Sequence, residues 1–253
     1  LIFSNLFVFI ASLNQISRDS PLYTSMIISF LIHLIVFIPS NFLKTEKFYD
    51  ITGTITFITV ILYAFINKNN YFDIQLNIRA YVLLIIISIW TLRLGFFLLH
   101  RIIKSGEDKR FSILKKQTIT FLIPWILSAM WVFITAAPAI FAISSTKNMT
   151  SDIFLTIGLL IWIFGFTFEC ISDYQKSKFN SNILNKDKFI NSGLWSISRH
   201  PNYFGEIILW LGISIISYPS LSGFEYLTLL SPCFVYLLLT RISGINLLEQ
   251  KSN

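Results

Sequence analysis

Apolar and polar positions segregate along this chain into long uninterrupted blocks. Eight apolar runs stand out, at roughly 1–13, 23–43, 51–67, 80–100, 119–144, 152–172, 202–217 and 222–240. Most approach the length of about 20 residues that carries an α-helix across a bilayer. A transmembrane barrel strand would alternate apolar and polar residues over about ten positions, and these runs are continuous. The pattern predicts an all-α, polytopic transmembrane bundle of about eight spans. No internal repeat or low-complexity linker interrupts it, so 1–253 reads as one integral membrane domain. The first run has neither a basic leader nor a small-residue cleavage site and reads as a span rather than a signal peptide.

Composition strengthens this picture. Hydrophobic residues make up 54% of the 253 positions, 25 of them Phe, and mean hydropathy is +0.67. Charged residues are only 13%, about half the usual share of a soluble domain. The net charge of +7 is no nucleic-acid signature, because no basic stripe sits on a soluble module. It follows the positive-inside distribution instead. One set of alternate connections carries 15 Lys and Arg, among them Lys44, Lys47, Arg101, Lys176, Lys178, Arg199 and Arg241; the other carries four, Arg18, Lys68, Arg79 and Lys147. That asymmetry predicts both termini in the cytoplasm, and hence an even number of spans. Cys170 and Cys233 lie in apolar runs, without disulfide or metal-ligand spacing. His33, His100 and His200 are far apart, and no H-E-x-x-H occurs.

Two connections on the basic side are long enough to hold chemistry, 101–118 and 173–201. The second leads into G-L-W-S-I-S-R-H-P-N-Y-F-G-E-I-I-L-W at 193–210. Polar groups at a membrane boundary are costly and are usually kept for function. Pro201 suits the first turn of a helix, which would leave the N–H groups of 202–204 free beside Arg199 and His200 and able to bind a phosphate. Asn202, Glu206 and Trp210 recur every four residues on one face. Arg199 could instead pair with Glu206 or Asp173 and clip helices together. Glu169 and Asp173, also four apart, share a face at the end of 152–172. They either mark the lipid boundary or hydrogen-bond a ribose or amide. Lys176 and Lys178 fit an ordinary basic loop or a phosphate site, and Arg241 fits an anchor or a bidentate phosphate ligand. Arg93 lies within an apolar run and requires a carboxylate such as Glu169 or Glu206, or a route to the interface. The charged turn Gly106-Glu107-Asp108-Lys109-Arg110-Phe111 reads as solvated surface or as a lid.

These motifs resemble a known family. Gly193-Leu194-Trp195, Ser198-Arg199-His200-Pro201-Asn202-Tyr203-Phe204-Gly205-Glu206 and Trp210 are similar to the signature of bacterial membrane proteins grouped with steroid 5-alpha-reductases. Asp173-Tyr174-Gln175, the 106–111 turn and Ser243-Gly244-Ile245 with Leu247-Leu248-Glu249 agree with it, over roughly 85–250. The resemblance implies a helical reductase in the bacterial inner membrane that takes NADPH from the cytoplasmic side and reduces an enone double bond in a lipophilic, steroid- or isoprenoid-like substrate. Asp173, Asn202 and Glu206 would hold the nicotinamide end and ribose, and Arg241 a phosphate. Lys178, Arg199, His200 and Tyr203 complete the expected cofactor set, with Tyr203 and Glu206 as the candidate catalytic acids; Tyr63 and Tyr81 are alternatives. The animal enzymes carry a tyrosine where this chain has Leu98, two residues before His100-Arg101. The family also continues past the Leu-Leu-Glu segment with a polar tail, whereas this sequence stops at Asn253. A rival resemblance is to membrane methyltransferases of isoprenylcysteine or phospholipid, which carry a related R-H-P-x-Y-x-G element and bind S-adenosylmethionine.

Overall fold

The computed structural model describes residues 20–69, 77–108, 110–145, 147, 151–186 and 188–242. The described chain is helices and turns, with no strand among these residues. It falls into two compact units, 1–151 with 217–229, and 152–216 with 230–253. The absence of any linker in the sequence gives no sign of this division.

In the first unit, α1 (Pro21–Phe42), α2 (Tyr49–Asn69) and α3 (Ile78–Ser105) pack around α5 (Thr118–Ser144). A one-turn helix α4 (Phe111–Leu114) precedes α5. Helix α5 is apolar all round, and such a helix is buried. The small residues Ala136, Ala137, Ala139 and Ala142 sit at 0% exposure on it and let its neighbours come close. Aromatic packing secures one end: Phe37, Phe111, Phe121 and Trp125 form a buried cluster, with Tyr49 set edge-on to Trp125 at 5.5 Å. Tyr49 also donates to the carbonyl of Pro124 at 3.1 Å.

Polar groups inside this unit find partners on neighbouring turns and helices. The buried His33 ring has Nδ1 2.8 Å from the Ser29 carbonyl and Nε2 3.0 Å from the Ser128 hydroxyl. A carbonyl oxygen can only accept, so Nδ1 carries the proton and Nε2 accepts from Ser128.

The 106–111 turn is neither a solvated surface nor a free lid. The buried carboxylate of Glu46 accepts from the Asp108 N–H at 2.8 Å and from Lys115 Nζ at 3.0 Å. Arg101 reaches both Asp50 (3.6 Å) and Asp108 (3.9 Å), and Arg110 forks onto Asp108. These pairs tie the α1–α2 connection, the start of α2, the end of α3 and α4 into one ionic strap. Burial works to raise the Asp108 pKa, but the hydrogen bonds and charge of Arg110 outweigh it and hold the carboxyl below its usual range.

The second unit is built on α6 (Ile153–Ser181) and α7 (Pro201–Ser217). After Gly223–Leu230, a 3₁₀ stretch, the chain continues as α8 (Ser231–Leu237) and a π-helical turn, Leu238–Ile242.

Six helical stretches among the described residues are long and apolar enough to cross a membrane: Pro21–Phe42, Tyr49–Asn67, Ile78–Ser105, Thr118–Ser144, Ile153–Ser181 and Gly223–Arg241. The chain is thus a helical integral membrane protein. The expected run 1–13 lies outside the described residues. The run at 202–217 does form a helix, α7, but with 17 residues it falls short of the 18 that defines those stretches. The run at 222–240 is a composite rather than one α-helix. Pro232 at the start of α8 lacks the N–H and the steric room to continue a helix from 230.

A third difference concerns 173–181. This segment, expected in a loop, is the last third of α6, because Ser172 and Asp173 are buried on the same helical surface as Glu169 and keep the helix going past the apolar run.

Candidate functional site

Two helices and one tight turn build the site. Helices α6 and α7 run antiparallel, in contact through four glycines spaced seven apart, Gly158 and Gly165 on one and Gly205 and Gly212 on the other. A Cβ built on Gly165 would lie 2.7 Å from the Gly205 carbonyl oxygen, and one on Gly205 would lie 2.7 Å from that of Gly165. A Cβ on Gly212 would meet the Gly158 carbonyl at 2.6 Å. Backbones meet there with no room for a side chain, as small-residue stripes in membrane helices allow. The register set by Gly165 and Gly205 carries the end of α6 to the start of α7. Asp173 therefore comes to Asn202, whose Nδ2 donates to Asp173 Oδ1 at 3.3 Å.

The Gly-Leu-Trp turn is explained by how it docks on α6. Gly193 has φ +61°, and a Cβ there would sit 2.6–2.7 Å from the Gln175 side chain; only glycine meets both demands. Gln175 Oε1 then accepts from the Leu194 N–H at 3.0 Å. Trp195 inserts beside it, 8% exposed, and donates from Nε1 to the Ser172 carbonyl at 3.0 Å. Lys176 Nζ lies 4.6 Å from the centre of the Trp195 ring, a cation–π contact. Three consecutive residues thus pin the loop to the α6 turn that carries Asp173.

From there the chain enters α7. The His200 carbonyl accepts from the Phe204 N–H at 3.3 Å, so His200 caps the helix and Pro201 takes its first position. The His200 ring stacks on Tyr203, centroids 5.1 Å apart at 11°. Arg199 is exposed just before this end, whose free N–H groups favour an anion. Asn202 and Tyr203 are half-buried, while Glu206 (8%) and Trp210 (0%) are buried further along. A carboxylate can only accept, so the bond to Asp173 orients the Asn202 amide. Its Oδ1 is left buried and accepting no hydrogen bond.

The structure thus gathers Asp173, Asn202, His200, Tyr203 and the docked Trp195 at one end of the α6–α7 pair, with Arg199 beside them and Glu206 one turn inward. Lys178 is separate: it is exposed and packs its ammonium 6.0 Å from the ring of Tyr174, itself exposed. Arg241 is exposed in the π-helical turn of this same unit. Arg93, Tyr63 and Tyr81 belong to helices of the first unit. Sequence reasoning missed Gln175 and Ser172 as the seats of the Gly-Leu-Trp turn. It also missed the paired glycines. Their equal seven-residue spacing in two apolar runs was the available signal.

The chain belongs to the family described as "Protein of unknown function (DUF1295)", which matches residues 36–253. It is also similar to a protein of Ustilaginoidea virens described as "Probable O-methyltransferase ustE", at 29% identity over 86 residues. That similarity covers 34% of this chain and 30% of the relative, so it reaches under a third of the relative's length. No solved structure matches.

Proposed function

We propose that this DUF1295 member is an NADPH-dependent membrane reductase of a carbon–carbon double bond in a lipophilic enone. The observation that carries the reading is the oriented Asn202 amide, with a buried Oδ1 awaiting a donor, beside a helix N-terminus flanked by Arg199. A carboxamide N–H or a ribose hydroxyl would satisfy Oδ1, and phosphate oxygens suit the helix end. Asp173, Asn202 and Glu206 would hold the nicotinamide end and ribose. Arg199, His200 and Tyr203 would sit at the phosphates, and Arg241 and Lys178 would reach them from the adjoining surface. When bound, the nucleotide supplies the hydride of a conjugate reduction. The chain's part is to hold the ring, keep water away and place an acid, Tyr203 or Glu206, within hydrogen-bond reach of the substrate. The excess of basic residues on one set of connections supports a site open to the cytoplasm of a bacterial inner membrane.

A second reading is an S-adenosylmethionine-dependent methyltransferase, which the fungal relative favours. The Asn202 acceptor serves either ligand. The cationic Arg199 at an anion-binding helix end favours the phosphate-bearing one. The deciding experiment measures both ligands on detergent-purified protein, with Asn202→Ala and Arg241→Ala. NADPH should bind, roughly tenfold more weakly in Asn202→Ala, as befits one buried hydrogen bond. Binding of S-adenosylmethionine without NADPH would overturn the reductase reading.

A further inference from the structure

Inside the first unit lies a cavity of about 70 Å³, walled by α2, α3 and α5. Three rings form much of the wall. Phe57 stands edge-on to Trp90 and to Trp131, with centroids 5.2 and 5.1 Å away, and the two indoles are 6.2 Å apart. Packed against one another in this way, the rings form a rigid surface. Gly53 keeps the wall open: a Cβ there would stand 3.8 Å from both the Ser128 hydroxyl and the Trp131 ring.

Size limits the occupant first. A dry cavity of about 150 Å³ holds one benzene, and a water takes roughly 30 Å³. About 70 Å³ admits two or three heavy atoms and excludes a fused-ring nucleus. The polar groups on the wall decide the chemistry next. Trp131 Nε1 is a buried donor with no hydrogen-bond partner, and it can only donate. Asp50 offers a carboxylate held in an ion pair with Arg101, and it can only accept. A ketone would answer Trp131 and leave Asp50 facing a second acceptor. An ammonium group would compete with Arg101 and leave the indole unanswered. A hydroxyl oxygen accepts from one and donates to the other.

We propose that this cavity binds the hydroxyl end of a single-chain lipid alcohol, Trp131 donating to its oxygen and Asp50 accepting its proton. The aromatic wall covers the first carbon atoms, and the chain leads away from the cavity. This site does not rest on the cofactor reading of the second unit.

The test titrates detergent-purified full chain with labelled 1-dodecanol, using dodecane and a four-ring steroid ketone as competitors. Wild type should bind the alcohol saturably, displaced by neither competitor. Trp131→Phe keeps the ring and removes the N–H, and it should bind roughly tenfold more weakly, the factor set by one hydrogen bond. Gly53→Leu fills the cavity and should abolish binding. Should that variant misfold by circular dichroism, Gly53→Ala, which adds one methyl to the wall, carries the same expectation of weakened binding. No saturable binding above protein-free micelles would mean that water alone fills the cavity, and the proposal fails. It fails equally if Trp131→Phe binds as wild type or if the steroid ketone displaces the alcohol. Loss of NADPH binding in wild type would leave this result untouched.

Discussion

Replacing Gly165 by alanine adds one methyl group at the point where α6 and α7 touch. That methyl would sit 2.5 Å from the Leu209 nitrogen and 2.7 Å from the Gly205 carbonyl oxygen. Ordinary contact begins at 3.4 Å, so the helices must part by about 0.7 Å. Both obstructing atoms are backbone, and no side chain can swing aside. Overpacking of this kind costs about 1–3 kcal/mol, and an alanine in a helix returns about 0.5–1 kcal/mol relative to glycine. The net expectation is a loss of about 1–2 kcal/mol. Gly53→Ala is the matched control. Its methyl lands at 3.8 Å, in ordinary contact, so only the gain in propensity remains. Unfolding midpoints in detergent should therefore fall for Gly165→Ala and hold or rise for Gly53→Ala. The same separation moves Asn202 from Asp173, so NADPH binding should weaken in Gly165→Ala although neither ligand-holding residue is altered. Equal midpoints for the two variants would refute the close-contact reasoning.

Other consequences can be measured alongside. Trp195→Phe keeps the ring and removes the bond to the Ser172 carbonyl; it should cost about 1 kcal/mol and raise hydrogen exchange at 193–198. Glu46→Ala leaves the Lys115 ammonium and the Asp108 N–H without their buried partner, and loss of one member of a buried pair costs about 3–5 kcal/mol, read as a lower thermal midpoint. Asp108 has a folded pKa below its unfolded value, so its contribution is present above the ordinary carboxylate range of about pH 4 and is lost as pH falls through the folded value. Exchange at 106–114 should stay flat from neutral pH down to about 5 and rise only in stronger acid. In Arg110→Met that rise should begin at higher pH.

How far such features could be read in advance depends on the range over which they act. The apolar runs that became α1, α2, α3, α5 and α6 were legible because a bilayer imposes length and apolarity on each helix separately. Pro201 as the opening of α7 was legible for the same reason: one residue's covalent geometry decides it. The Asn202–Glu206–Trp210 face is a helical period, and the buried Glu206 and Trp210 keep it. What escaped depends on partners far along the chain. Asp173 was assigned to a loop because hydropathy falls at 173, yet burial beside Glu169 and Ser172 and the bond to Asn202 extend α6 by two further turns. The strap at Glu46 brings together 46, 108 and 115, and nothing in the local charge pattern says that the Glu46 carboxylate is buried. Gly193 shows both kinds of signal in one residue. Its place before Leu-Trp suggested a turn, while the reason that only glycine serves, the Gln175 side chain pressed against its α-carbon, comes from a residue eighteen positions earlier. In a membrane protein the solvent writes the helices into the sequence, and the close contacts between them, where this chain gathers its chemistry, are written only in pairs.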